Sequence, residues 1–192
     1  CVLGLATGST PIGAHKQLAA WYKKDDVDIP EVSTYNLDEY RGLSHDDPQS
    51  YHYFMRENFF DHINIDLNNT HVPDGSNPDA AAACSEYDKI VADAGYPDLQ
   101  LLGIGNNGHI GFNEPDDHFS KGTHCVDLTE STIQANSRLF DSTDAVPRPA
   151  HPMRAVHDMC YGPVTPECPA SILQLHTNCV VVADEAALSL CE

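Results

Sequence analysis

The sequence predicts an α/β domain built on a mostly parallel sheet, and three observations predict it. Short apolar runs without polar alternation recur, the pattern of strands buried on both faces. Amphipathic stretches with helix start and stop signals lie between them. The residues with chemical potential fall directly after the apolar runs, where open α/β sheets hold their ligands. Strands that alternate with helices in this way pair in parallel, because each crossover spends a helix.

CVLGLA (1–6) is the first buried strand, and TGST follows it. Thr10 as N-cap with Pro11 at the first helical position starts a helix running to about Lys24, since proline's fixed φ and missing N–H suit that position. VSTYNL (32–37) is the second strand and leads into DEYRGL. Ser50 caps a helix to about His62, with Tyr53, Phe54, Phe59 and Phe60 as candidate core. Asn77-Pro78 opens another helix that stops at Gly95, a residue suited to the left-handed C-terminal position. LQLLGIG (99–105) is a third buried strand, ending in a glycine–asparagine stretch. DLTESTIQANSRLF (127–140) reads as a helix, with Ile133 and Leu139 among its apolar positions. A proline-broken segment from Pro147 to Pro169 precedes ASILQL, a strand CVVVA (179–183) and an acidic terminal helix. Three strand ends then carry the unusual residues, at 7–10, 38–40 and 106–114.

At 192 residues and 41% apolar content the chain fits one domain with a sizeable core. No apolar run approaches the roughly 20 residues that span a bilayer, and the start lacks a signal-peptide pattern. A soluble cytoplasmic protein is the expectation. The formal net charge of −19, from 29 acidic and 10 basic residues, argues against nucleic acid and anionic membranes, whose affinity comes from Lys and Arg. An anionic substrate would therefore need backbone N–H groups and a helix N-terminus. Cys1, Cys84, Cys125, Cys160, Cys168, Cys179 and Cys191 form no C-x-x-C and no metal-spaced cluster. They read as free thiols in a reducing compartment, acting as small apolar residues.

GLATGSTPIG is a strand, a small hydroxyl-rich loop and a helix N-terminus. That arrangement suits a phosphate, and it equally suits a well-capped strand-to-helix turn. NLDEY sets Asp38 and Glu39 just after a strand. A single carboxylate in so acidic a chain is ordinarily solvated surface, but a carboxylate at the ligand end of a sheet can abstract a proton next to a carbonyl. GIGNNGHIGFNEP (103–115) places His109 and Glu114 on a frame of glycine, asparagine and apolar residues. His109 can shuttle a proton near neutral pH, and Glu114 is near enough in the loop to orient the imidazole. The alternative is one structural histidine in a turn. No second histidine sits at helical ligand spacing, and no G-x-S-x-G or Cys/His signature is present.

LGLATGSTP, NLDEY, HDDPQSYHYFMRENFFDHINI, GIGNNGHIGFNEP, DLTESTIQANSRLF and CPASILQLH, in this order, resemble the glucosamine-6-phosphate deaminase (isomerase) family over nearly the whole chain. The resemblance implies a single-domain Rossmann-like three-layer sandwich over 1–192. It also implies conversion of glucosamine 6-phosphate and water to fructose 6-phosphate and ammonia, a hydrolytic C–N cleavage coupled to aldose–ketose isomerisation. No cofactor and no metal enter that chemistry, and the protein is expected as a monomer or homo-oligomer. By the same resemblance Asp38 matches the base that moves a proton between C2 and C1. His109 matches the ring-opening histidine and Glu114 its carboxylate partner. Thr7, Gly8, Ser9 and Thr10 match the phosphate loop, and Arg138 matches the arginine that pairs with the phosphate, which a charge of −19 otherwise leaves short of cations.

The chain also departs from the family. Asn107 stands where some members carry aspartate beside the histidine and others asparagine, which alters how the imidazole is tuned. His124 replaces an arginine of allosterically regulated members, so no activation by N-acetylglucosamine 6-phosphate is expected. The sequence starts at Cys1 inside the first of these motifs, and the family's opening helix and strand are expected to belong to the protein beyond it. A strand, a loop with a phosphate-binding lysine and part of a helix are missing near residues 153–155. A 6-phosphogluconolactonase-like hydrolase and a catalytically inactive sugar-phosphate-binding protein are the alternative functions.

Overall fold

Four short strands pair in parallel: β1 (Val2–Leu5), β2 (Ser33–Asn36), β3 (Thr70–His71) and β4 (Leu99–Gln100), in the spatial order β3-β2-β1-β4. The structure is a computed structural model and describes residues 1–105, 107–129, 132–133, 155–183, 185–188 and 191. Each parallel crossover contains a helix, as parallel pairing requires: α1 (Ile12–Tyr22) between β1 and β2, α2 (Tyr51–Asn58) between β2 and β3, and α3 (Ala80–Ala94) between β3 and β4. The expected α/β class with a mostly parallel sheet is therefore present.

By its contacts the chain divides into two compact units, Cys1–Gly103 with Gly122–Cys125, and Ile104–Lys121 with Val126–Glu192. The first holds the sheet. Its core joins Leu5 of β1 to Met55, Phe59, Phe60 and Ile65, with Leu18 of α1 and Phe54 packed against them. Phe59 and Phe60 are buried as expected, whereas Tyr53 and Phe54 are half-buried, and Met55 takes the fully buried position on α2. The β1–β2 register pairs Leu5 with Asn36. The Asn36 side-chain amide also donates to the Leu5 carbonyl, so the two strands end side by side where the 7–10 loop and Asp38 begin. From α3, Tyr87 donates its hydroxyl to the Asn36 carbonyl at 2.6 Å.

Several boundaries differ from expectation. Helix α1 begins at Ile12 with Pro11 in the cap position, at φ −78° and ψ −8°, and no side chain caps it; Thr10 lies exposed outside the helix. Ser50 does cap α2, its Oγ accepting from the Tyr53 N–H. That helix ends at Asn58, and a 3-10 turn (Phe60–His62) completes the segment because Phe59 leaves helical geometry at φ −146°. Asp79, not Asn77, caps α3, and Gly95 closes it as expected. Only Leu99 and Gln100 of the expected 99–105 strand pair in the sheet.

In the second unit, a helix at Ala155–Tyr161, a 3-10 segment at Pro169–Leu175 and a short helix at Glu185–Leu188 surround irregular chain. Residues 179–183 are not a strand: Val180 and Val182 are 82% and 93% exposed. Thr132 and Ile133 are helical and buried, while the rest of the expected 127–140 helix, including Leu139 and Arg138, falls mainly outside the described residues. Among the described residues no helix is long and apolar enough to cross a membrane.

Candidate active site

In the first unit, chemistry gathers where β1 and β2 end. Gly8 takes φ +86° just after β1, a conformation that glycine adopts without steric cost, and the loop Thr7, Gly8, Ser9 and Thr10 leads straight to the N-terminus of α1. No side chain caps α1, and the first turn of a helix carries a partial positive charge.

Beyond β2, Asp38 and Glu39 play unlike parts. Glu39 accepts the backbone N–H groups of Tyr40 and Tyr51 at 2.8 Å and of His52 at 2.9 Å. Together with the Ser50 cap it satisfies the first N–H groups of α2, which is what an anion at a helix N-terminus does. That clamp fixes the DEY segment and sets Tyr51, the first residue of α2, beside Asp38. Tyr51 donates its hydroxyl to Tyr40 at 3.5 Å and accepts a hydrogen bond from the Thr7 hydroxyl. Tyr51, which sequence reading took no account of, hydrogen-bonds Thr7 and lies within the electrostatic reach of Asp38, the two residues expected from sequence to share a site. Its signal was faint: one aromatic at a helix start, four residues ahead of Met55. Desolvation, and then repulsion from Glu39, push the Asp38 carboxyl up to about 7. Burial of that kind disfavours the charged form and produces a base poised near neutral pH.

In the second unit the glycine–asparagine loop folds on itself. The Gly105 N–H donates to the His109 carbonyl at 2.9 Å, and Ile104 bridges Ile110. A Cβ on Gly105 would occupy the space of the His109 ring, so the glycine is required for close approach and not only for turning. Behind the loop the Ala170 N–H donates to the Gly108 carbonyl at 2.8 Å.

Asn107, His109 and Glu114 come together here with two threonines. The Asn107 amide donates to Glu114 Oε2 at 2.6 Å and to Thr129 Oγ1 at 3.1 Å, and its carbonyl oxygen lies 2.7 Å from His109 Nδ1. Glu114 stands 3.7 Å from Nδ1, so the carboxylate orients the imidazole chiefly through Asn107 instead of by the direct contact the spacing suggested. Thr129 donates its N–H and hydroxyl to Glu114 at 3.1 and 3.0 Å, and Thr132 Oγ1 lies 3.1 Å from Nδ1. Both threonines were missed from sequence, since nothing local marks them.

The network fixes the tautomer. A carboxylate only accepts, so Asn107 must turn its NH2 to Glu114 and its oxygen to His109. That oxygen also only accepts, so Nδ1 carries the proton and Nε2 keeps a lone pair. Desolvation lowers the His109 pKa, with Glu114 opposing. The outcome is a neutral imidazole with one basic nitrogen. Among the described residues the groups spaced for a metal are Asp116, Asp117 and His118, all exposed on the same loop; exposed carboxylates beside a histidine commonly pair without an ion.

The family model described as glucosamine-6-phosphate isomerases/6-phosphogluconolactonase matches residues 1–158. A glucosamine-6-phosphate deaminase of Halothermothrix orenii is 49% identical over 210 residues, covering 98% of this chain and 87% of that protein. The solved structure of a monomeric glucosamine-6-phosphate deaminase superposes with a TM-score of 0.92 at 42% identity, covering 98% of this chain and 87% of its own. The crystal structure of a 6-phosphogluconolactonase from Thermotoga maritima reaches a TM-score of 0.50 at 27% identity, over 57% of this chain and 48% of its own.

Proposed function

Because the chain belongs to the glucosamine-6-phosphate isomerase/6-phosphogluconolactonase family, we propose that it converts glucosamine 6-phosphate and water to fructose 6-phosphate and ammonia. The observation that carries this reading is Asp38, a carboxyl raised to about 7 just after β2, near Tyr51, which hydrogen-bonds Thr7 of the 7–10 loop. An aldose–ketose isomerisation needs a base at C2, and lactone hydrolysis does not.

The 7–10 loop and the N-terminus of α1 hold the sugar phosphate, with Arg138, outside the described residues, as the expected cationic partner. Anchoring the phosphate lets binding energy far from the reacting carbons orient C1 and C2. Neutral His109 takes the anomeric hydroxyl proton at Nε2 and returns it to the ring oxygen as the C1–O5 bond breaks. Asp38 then removes the C2 proton from the open-chain aldehyde as O1 takes up a proton, giving the enolamine. It delivers the proton to C1 as the nitrogen gives one up, leaving an imine at C2 and a hydroxymethyl group at C1. Water adds to that carbon, and ammonia leaves from the resulting carbinolamine. The reaction is hydrolytic at the C–N bond and draws every proton carrier from this chain.

The 98% coverage by deaminase relatives, against 57% by the lactonase structure, favours deamination over lactone hydrolysis. The 1–192 region is then one domain of the family, with a segment near residues 153–155 not represented in it; alignments spanning 210 positions against 192 residues are consistent with an internal gap.

The test is to incubate the protein with glucosamine 6-phosphate and measure ammonia and fructose 6-phosphate in parallel. Equal amounts of both are expected. Binding of the sugar phosphate without either product would make the chain a binding protein, and hydrolysis of 6-phosphogluconolactone alone would make it a lactonase. Gly105→Ala gives a narrower check. The added methyl displaces the His109 ring, so turnover is expected to fall by about 10-fold or more, because misplacing a catalytic group by about 1 Å costs on the order of 100-fold. The far-ultraviolet circular dichroism should stay unchanged. Undiminished turnover in this variant would mean that the ring position is immaterial.

A further inference from the structure

The short segment Gly122–Cys125 is bound to the outside of α3 within the first unit. Asp88 holds it there: the Thr123 N–H donates to Asp88 Oδ1 at 2.7 Å, and a Cβ on Gly122 would stand 2.6 Å from Asp88 Oδ2. Cys84 precedes Asp88 by four residues on the same helix, so both side chains share one face, one turn apart. Cys125 follows Thr123 by two residues, which brings its thiol near that of Cys84, and each feels the other. Cys125 is exposed and Cys84 half-buried, in contrast to Cys168, which is buried behind Gly108.

Two neighbouring thiols, one open to solvent and both held by a backbone anchored at Asp88, have a chemistry that small apolar fillers lack. We propose that Cys84 and Cys125 are a reversible redox pair, which hydrogen peroxide oxidises to an intramolecular disulfide tying residues 122–125 to α3. The Cys125 thiolate attacks peroxide, forming an S–O bond and breaking the O–O bond, and the departing hydroxide takes up a proton as water. The Cys84 thiol, losing its proton, then attacks the sulfenic sulfur of Cys125 and expels a second water. The two thiols together give up two electrons and two protons, and one peroxide becomes two waters. A dithiol reductant reverses the bond by exchange. The order of attack follows from the surroundings: Cys125 meets the oxidant first, while burial and its neighbour push the Cys84 thiol up, with the Arg41 charge partly opposing, so Cys84 acts second.

The consequence lies in the path of the chain. Residues 121 and 126, on either side of the segment, belong to the second unit. A disulfide at Cys125 therefore fixes the 122–125 segment covalently to α3. A reducing compartment keeps the pair open, and an oxidative challenge closes it.

The experiment uses the full chain at low micromolar concentration, treated with hydrogen peroxide and digested without reduction for peptide mass spectrometry. The expected result is one linked peptide pair containing Cys84 and Cys125, lighter by two hydrogens than its reduced parts, with free thiols falling by two from seven. Dithiothreitol should restore all of them. Cys125→Ser, an exposed substitution, is expected to abolish the link, and Cys179→Ser to leave it intact. A link between other cysteines, oxidation of Cys125 to sulfinic acid without a link, or an unchanged thiol count would each overturn the proposal. None of these outcomes depends on the proposed deaminase activity.

Discussion

Asp38→Asn is expected to lower turnover by about 1,000-fold or more and at the same time to raise the melting temperature at pH 8. The loss of turnover follows from removing the carboxylate proposed to carry the C2 proton, since general-base contributions are typically about 100- to 10,000-fold. The gain in stability follows from linkage. The folded-state pKa of Asp38 is raised from 3.8 to about 7, so the native state binds its proton more tightly than the unfolded chain does. Stability is then highest below the unfolded pKa and is lost as pH rises through the folded one. Above pH 7 the wild-type fold bears a penalty on the order of 2–4 kcal/mol, taking about 1.4 kcal/mol per unit and allowing for the partial exposure of Asp38. Asparagine is neutral at every pH and escapes it. At roughly 2–4 °C per kcal/mol for a chain of this size, the variant should melt about 5–10 °C higher at pH 8, with the difference shrinking toward pH 4. Thermal melts at pH 4, 6 and 8 check the sign. A variant that is less stable at pH 8, or equally active, would remove Asp38 from the role of a desolvated base. In the wild type, kcat/KM should climb as pH passes through about 7, because only the ionised carboxylate accepts a proton.

His109→Gln should fold and bind the sugar phosphate yet lose about 100- to 1,000-fold in kcat, the range expected of a lost general acid–base group. Glutamine can occupy much of the imidazole's volume and can hydrogen-bond Asn107, but it has no nitrogen that takes up a proton near neutrality. KM should change little, since the phosphate is held elsewhere, and that split separates a chemical role from a structural one. Full activity in this variant would assign the ring opening to another group. The low His109 pKa also has a direction: the neutral, working form prevails down to more acidic pH than for a free histidine, so the alkaline-rising limb of the profile belongs to Asp38.

The strand VLGL was legible in the sequence as a short unalternating apolar run, the pattern of a parallel strand buried on both faces, and STYN as a β-branched and aromatic stretch before an acidic turn. The Ser50 cap and the Gly95 stop were legible because each satisfies a local backbone demand. The apolar runs at 99–105 and 179–183 misled. An apolar run becomes a strand only where a neighbour offers a ladder of hydrogen bonds: Leu3 and Gly4 offer Leu99 and Gln100 such a partner, and Val180 and Val182 stand exposed. Likewise, Thr10 looked like a cap, but Pro11 took the cap position with helical φ and ψ.

By itself the sequence determined which chemistry-bearing residues exist and where along the chain they fall: a hydroxyl loop after one strand, Asp38 after the next, His109 and Glu114 in a glycine frame. It could do so because spacing and residue type are local properties. Only the tertiary structure decided how those groups are tuned. Glu39 is spent on the helix N-terminus while its neighbour Asp38 is desolvated. Tyr51 hydrogen-bonds Thr7 near Asp38, and Asn107 stands between Glu114 and the imidazole. Burial, partner choice and tautomer arise from groups distant in sequence that arrive at one place, and no local pattern encodes them.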